Sequence, residues 1–153
     1  MNVKIKQLHP NAKMPTYATD GSGAFDLYAA TIDGFSKIGK TVTHGFPVLC
    51  DTCLAFEIPE GYGMFILSRS GHGFKFDTRL SNAVGLADAD FRGSVQVKLT
   101  CDQDRECVPD LFVKPGDRIA QAVILPIPRV AFEWADELTS TDRGANGFGS
   151  TGA

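Results

Sequence analysis

Residues 82–99 read N-A-V-G-L-A-D-A-D-F-R-G-S-V-Q-V-K-L. The last six alternate polar and apolar side chains, the period of a half-buried strand. Before them two carboxylates, Asp88 and Asp90, stand among apolar residues, and Gly93 closes the stretch. This pattern predicts one arm of a hairpin running into a strand, with a carboxylate at the tip. A carboxylate on a rigid strand end is well placed to act as a general base. An acidic solvated turn is the alternative, since Asp is common in turns. The stretch alone leaves both open.

The rest of the chain repeats the strand signal. Short apolar or alternating runs recur at residues 3–8, 24–29, 48–58, 62–67, 94–100, 111–113, 118–125 and 129–135. Turn residues separate them, and helical periodicity is nearly absent. Such spacing predicts an all-β sandwich or barrel. Prolines 10, 15, 59, 109, 115, 126 and 128 fall at or near the ends of these runs, where a missing N–H costs little. The one helix expected is a turn or two starting near Ser70, within residues 70–76.

The chain has 153 residues, 43% hydrophobic and 22% charged, with a net charge of -3. That is the length of one domain, long enough to bury about two thirds of its unfolded surface without a disulfide or metal. The slight negative charge argues against a nucleic-acid partner, which would call for a basic stripe. No apolar run approaches the ~20 residues of a membrane span. The N-terminus M-N-V-K-I-K-Q-L is charged and alternating, unlike a signal peptide. The cytoplasm is the expected location.

Cys50 and Cys53 have metal-ligand spacing, and Cys101 and Cys107 form a looser second pair. Both members of the first pair fall in a run read as strand, where residues three apart face opposite ways. Reduced thiols are therefore expected rather than a zinc site. The histidines His9, His44 and His72 lie in unrelated contexts and are expected at the surface.

After Ala135 the composition changes. Residues 136–153 contain four glycines and only two large apolar residues, Leu138 and Phe148. The chain thus divides into a core at residues 1–135 and an arm at 136–153. The arm is either a frayed terminus or a segment that orders over a ligand or a neighbouring subunit. Its G-F-G-S-T-G formally matches G-x-G-x-x-G, but no helix can follow it, so it is no dinucleotide fingerprint. What the glycines do allow is close approach of backbone N–H groups to anionic oxygens. Arg143 adds a forked cation, and Phe148 adds a ring that can stack on a base. A nucleotide lid accounts for all three.

Two further segments carry chemistry. Ser68-Arg69-Ser70-Gly71 follows a strand and opens the suspected helical turn, a place suited to phosphate; an ordinary Ser N-cap is the alternative. Residues 115–121, P-G-D-R-I-A-Q, read as a turn into a strand, with Gln121 the one candidate ligand contact and Arg118 part of the strand. No Ser–His–Asp set is apparent.

Five segments, in order, resemble the five motifs of the trimeric dUTPases (deoxyuridine triphosphate nucleotidohydrolases), the bacterial and phage-type members most. They are G-A-F-D-L-Y-A at 23–29, S-R-S-G at 68–71, G-L-A-D-A-D-F-R-G at 85–93, P-G-D-R-I-A-Q at 115–121 and R-G-A-N-G-F-G-S-T-G at 143–152. The resemblance spans nearly the whole chain. It implies a distorted, jelly-roll-like β-barrel with one short helix, in a homotrimer with exchanged C-terminal arms. It also implies Mg²⁺ and hydrolysis of dUTP to dUMP and pyrophosphate, which keeps uracil out of DNA and supplies dUMP for dTMP synthesis.

By the same resemblance, Asp88 is the base that activates water, and Asp90 helps fix the hairpin. Uracil is held along residues 82–96, by Asn82, Gly85, Leu86, Ala87 and Gln96. Phe91 lies under the deoxyribose. Arg69, Ser70, Gly71 and Gln121 bind phosphates from a second subunit. From a third, Phe148 covers the base and Arg143, Gly149, Ser150 and Thr151 reach the substrate. Asp26 orients water on a Mg²⁺ held mainly by the triphosphate. Four positions depart from the family pattern. Phe91 stands for Tyr, Ala87 for Ile or Val, Ser68 for Pro, and Cys53 where Gly is common. A dCTP deaminase-like relative, or a regulatory or binding protein on the same fold, are the alternatives. The first would need a buried acid against the base ring, and no matching acidic segment is found.

Overall fold

The computed structural model describes residues 1–103 and 109–147. Its strands are β1 (Lys4–Gln7), β2 (Thr16–Tyr17), β3 (Phe25–Tyr28), β4 (Thr31–Ile32), β5 (Lys40–Val42), β6 (Val48–Asp51), β7 (Leu54–Glu57), β8 (Tyr62–Leu67), β9 (Thr78–Leu80), β10 (Val84–Ala87), β11 (Gln96–Cys101), β12 (Leu111–Val113) and β13 (Arg118–Pro126). One helix, α1 (Ser70–Phe76), sits between β8 and β9. Among the described residues, no helix is long and apolar enough to cross a membrane.

A five-stranded antiparallel sheet runs β10-β8-β13-β3-β2, and a four-stranded sheet runs β4-β6-β11-β9. The pairs β1-β7 and β12-β5 flank them. Both main sheets feed one apolar core: Leu27, Met64, Ile66, Ile119 and Ala122 from the first, and Val48, Cys50, Leu80, Val97 and Leu99 from the second. Neither sheet closes on itself, so the jelly-roll-like barrel keeps open seams. Strand β11 alternates as its sequence demands, with Val97 and Leu99 inside and Gln96 and Lys98 outside.

Three expectations need correction. The run at 48–58 is two strands, broken at Thr52-Cys53. Cys53 adopts φ 51°, in the left-handed region where glycine is at ease. Its N–H donates to Asp51 Oδ1 at 2.7 Å, so side-chain chemistry stops the strand where hydrophobicity would continue it. Residues 129–135 form no strand. They are exposed throughout, with Phe132 93% and Trp134 104% accessible, and they pair with no strand among the described residues.

Third, residues 82–96 are not a hydrogen-bonded hairpin. β10 pairs with β8, whereas β11 pairs with β6 and β9. The chain crosses between sheets at residues 81–83 and again at 88–95. The first crossing is tight: Ala83 N–H donates to Leu80 O at 3.0 Å and Val84 N–H to Asn82 O at 2.7 Å. Ala83 accepts φ 61° to make it.

Helix α1 lies where expected, but Ser is not its cap. Arg69 holds the N-cap position without a side-chain cap bond. Ser68 Oγ instead accepts from Leu80 N–H at 3.0 Å, tying β8 to β9. Two glycines in seven residues make a poor helix former. Tertiary contacts hold it: His72 is buried, and Phe76 packs on the core. Asp77, at φ 45°, ends it.

Candidate active site

The double crossing opens a seam between the two sheets. There a cleft of about 290 Å³ is lined by Leu49, Ile66, Leu80, Ser81, Asn82, Gly85, Gln96, Val97 and Lys98. One wall is β10, an edge strand, whose outer N–H and C=O groups have no strand to bond. Gly85 keeps this wall thin. A Cβ there would meet Ile66 Cβ at 3.2 Å and Asn82 Nδ2 at 3.7 Å. Asn82, Gly85 and Gln96, all expected to hold a base, thus share one cleft. Backbone groups in fixed positions, with an amide side chain beside them, suit the hydrogen-bonding edge of a planar heterocycle.

Opposite Gln96 on β6 stands Asp51, which its sequence context did not single out. Its carboxylate accepts from Gln96 Nε2 at 2.7 Å, from Cys53 N–H and from the Ser94 hydroxyl. The floor of the cleft is therefore braced from the 51–53 turn.

A second cleft of about 270 Å³ is polar. Ala18, Ser22, Gly23, Ala24, Asp26, Arg69, Ser70, Arg118 and Gln121 line it. Asp26 on β3 is only 8% exposed. Its two oxygens accept from Arg69 Nε at 3.4 Å and Arg118 Nη1 at 3.2 Å. Gln121 lies directly across the strand pair from Asp26, and its Nε2 donates to Ser68 O at 3.1 Å. Arg118 belongs to this site, although its motif reads as plain strand. The register of β13 against β3 shifts between Arg118 and Ala120, and such a bulge re-aims a side chain. Two guanidiniums on one buried carboxylate make a preformed cationic cradle suited to phosphate oxygens. Gly71 follows Ser70 in the chain but does not line this cleft, and nothing lies within 4 Å of where its Cβ would be.

His72 is not at the surface. It is 6% exposed, and its Nε2 lies 3.3 Å from Arg69 Nη1. Burial first, then the Arg69 charge, push its pKa down to about 4. No signal in the sequence separates it from His9 or His44. Cys50 is likewise buried, and burial raises its thiol to about 12. Among the described residues, no group of three His, Cys, Asp or Glu side chains converges on a metal.

The remaining candidates line neither cleft. Asp88 follows β10 directly and is exposed. Its C=O accepts from Phe91 N–H at 3.2 Å, closing a turn, while its carboxylate has no hydrogen bond among the described residues. The Asp90 carboxylate likewise makes no hydrogen bond among the described residues. Arg92 braces the loop, donating from Nη1 to Ala89 O at 2.6 Å and Phe91 O at 3.0 Å. Phe91 folds its ring over Gly93, where a Cβ would meet Cζ at 2.6 Å. Ala87 is buried and Leu86 is 53% exposed. Arg143 is turned onto its own loop, donating to Asn146 O at 2.9 Å. Phe148, Gly149, Ser150 and Thr151, and Cys107, lie outside the described residues.

Comparison with known proteins matches residues 10–152 to the dUTPase family model. A deoxyuridine 5'-triphosphate nucleotidohydrolase of Syntrophotalea carbinolica is 38% identical over 99% of this chain and 97% of the relative. One from Anaplasma marginale is 41% identical over 99% of each. The solved structure of the Staphylococcus bacteriophage 80alpha dUTPase with dUpNHpp superposes with a TM-score of 0.84. It is 25% identical, and 99% of each chain is covered.

Proposed function

The chain belongs to the dUTPase family and is a dUTP diphosphatase, and we propose that it hydrolyses its substrate with Asp88 as the base that activates water. Water adds across the anhydride bond between the α- and β-phosphoryl groups. Its proton passes to the Asp88 carboxylate, and dUMP and pyrophosphate leave. A positioned base of this kind contributes about 10²–10⁴-fold. The unengaged carboxylate of Asp88, on a turn braced by Arg92, supports the role.

The observation that carries the assignment is the pair of complementary clefts. The seam beside β10 takes the uracil edge, through Asn82, the backbone from Gly85 to Ala87, and Gln96. Cytosine, with donors and acceptors exchanged, would leave those groups mispaired, which is the costly outcome in a buried site. Phe91 offers its ring to the deoxyribose. The cradle of Arg69, Ser70, Gly71, Arg118 and Gln121 takes the triphosphate.

The two clefts share no lining residue. That supports a site assembled between subunits of a homotrimer, in which the cradle of one chain faces the base cleft of another. The exposed Val130, Phe132, Trp134 and Leu138 support an arm at residues 136–153, with its approach segment, that packs on a neighbour. Arg143, Phe148, Gly149, Ser150 and Thr151 would then close over the nucleotide.

Asp26 does not fit as a direct metal ligand, because both its oxygens serve arginines. A carboxylate has about four lone-pair sites, so it retains capacity for a water held by an ion. The triphosphate itself would chelate Mg²⁺, which when bound spreads charge during phosphoryl transfer. Asp26 orients the two guanidiniums whether or not the ion is present.

The test is pyrophosphate release from dUTP, dCTP, dTTP and UTP, with and without Mg²⁺. Turnover confined to dUTP is expected. No release from dUTP, equal release from dCTP or UTP, or ammonia from dCTP would each overturn the reading. Light scattering should give three times the subunit mass.

A further inference from the structure

His72 stands behind the phosphate cradle, and it is not one of the residues assigned to substrate. Its Nδ1 is fully buried with no hydrogen-bond partner among the described residues. Its Nε2 faces Arg69 Nη1 at 3.3 Å. A guanidinium can only donate, so Nε2 accepts. The ring is therefore the neutral tautomer carrying its hydrogen on Nδ1. That N–H finds no hydrogen-bond partner among the described residues, an arrangement an apolar side chain of similar size would avoid.

What the ring provides in return is an acceptor for Arg69. Asp26 Oδ1 holds Arg69 Nε, and His72 Nε2 holds Nη1. Two acceptors on two of its nitrogens fix the plane of the guanidinium as well as its position, and Nη2 makes no hydrogen bond among the described residues. A single acceptor would leave the plane free to turn about the Nε contact. Forked cations bind phosphate best when their plane is set in advance.

We propose that His72 is a positioning residue that orients Arg69 for the polyphosphate of the substrate, and thereby sets phosphate affinity without touching the base. This deepens the reading above and rests on it. A neutral ring is required, because a protonated one could neither accept from Arg69 nor tolerate its charge. The depressed pKa, about 4, meets that requirement at neutral pH.

The experiment compares His72→Leu, His72→Asn and His72→Gln in the full-length chain. Affinities for inorganic pyrophosphate and for deoxyuridine are measured separately by calorimetry, beside the KM for dUTP. Gln places an amide oxygen near the position of Nε2. Asn is too short to reach Arg69, and Leu has no acceptor.

Leu and Asn are expected to weaken pyrophosphate binding and raise the dUTP KM by about ten- to a hundredfold, the worth of one charge-assisted hydrogen bond. Deoxyuridine affinity should stay within about twofold of wild type, and Gln should restore pyrophosphate binding, if the bond to Arg69 is the cause. Unchanged pyrophosphate affinity in Leu and Asn would overturn the proposal. So would equal losses for both ligands, which mark a general packing defect, or a Gln variant as weak as Leu. If Leu fails to fold, Asn against Gln still decides. Pyrophosphate binding needs no turnover, so an inactive wild-type enzyme would count against the dUTPase reading and leave this test standing.

Discussion

The amide of Gln96 donates to the carboxylate of Asp51 at 2.7 Å across the β6–β11 ladder. A carboxylate accepts only. The NH₂ end of the amide therefore points at Asp51, and its oxygen is left for the cleft. The same carboxylate holds the 51–53 turn through Cys53 N–H and the Ser94 hydroxyl. Asp51→Ala would release all three donors. We expect a loss of about 1–3 kcal/mol in stability, read from the urea midpoint, together with a higher KM for dUTP. Unchanged KM would show that the amide does not need this brace.

Asp88→Asn keeps the shape of the turn and removes the proposed base. Turnover should fall by at least about 10²-fold, while dUpNHpp binds nearly as before. A variant turning over at the wild-type rate would exclude Asp88 as base.

His72 makes the fold sensitive to acid. Its folded pKa, about 4, lies below the ordinary 6.5. Between those values the unfolded chain binds a proton that the buried ring refuses. Stability from this residue is thus complete above pH 6.5 and is lost as pH falls towards 4, on the order of 3 kcal/mol in all. Burial is the main cause, and Arg69 and Arg118 add to it against Asp117. The urea midpoint of His72→Leu should fall less between pH 7 and 4.5 than that of wild type. Parallel profiles would refute the assignment.

Ala83 occupies the left-handed region at φ 61° and is exposed. That conformation costs an alanine about 1–2 kcal/mol, partly offset by the extra entropy a glycine loses. Ala83→Gly should therefore stabilise by about 0.5–1 kcal/mol, seen as a higher Tm. A lower Tm would mean that the methyl makes contacts beyond those described.

Much of the fold is legible in local pattern. The alternation at residues 94–99 places Val97 and Leu99 inside, and the helix falls where Ser70 suggested. Pro115-Gly116 marks the turn before β13, with Gly116 at φ 93°. Local pattern fails where one side chain overrides it. The turn at Cys53 is set by a bond to Asp51, and hydrophobicity carries no trace of that bond. Residues 129–135 have strand composition, yet they pair with no strand among the described residues.

The sequence by itself determined the all-β class, the single short helix, the loop carrying Asp88 and the five family motifs. Each is written in neighbouring residues, in periods of two and in turn chemistry. Tertiary structure alone decided that residues 82–96 straddle two sheets, that a cleft opens in their seam, that Arg118 meets Asp26, and that His72 meets Arg69. Arg118 meets Asp26 across 92 residues of chain. That meeting depends on strand order, a bulge in β13 and burial in a shared core, none of which a local window contains.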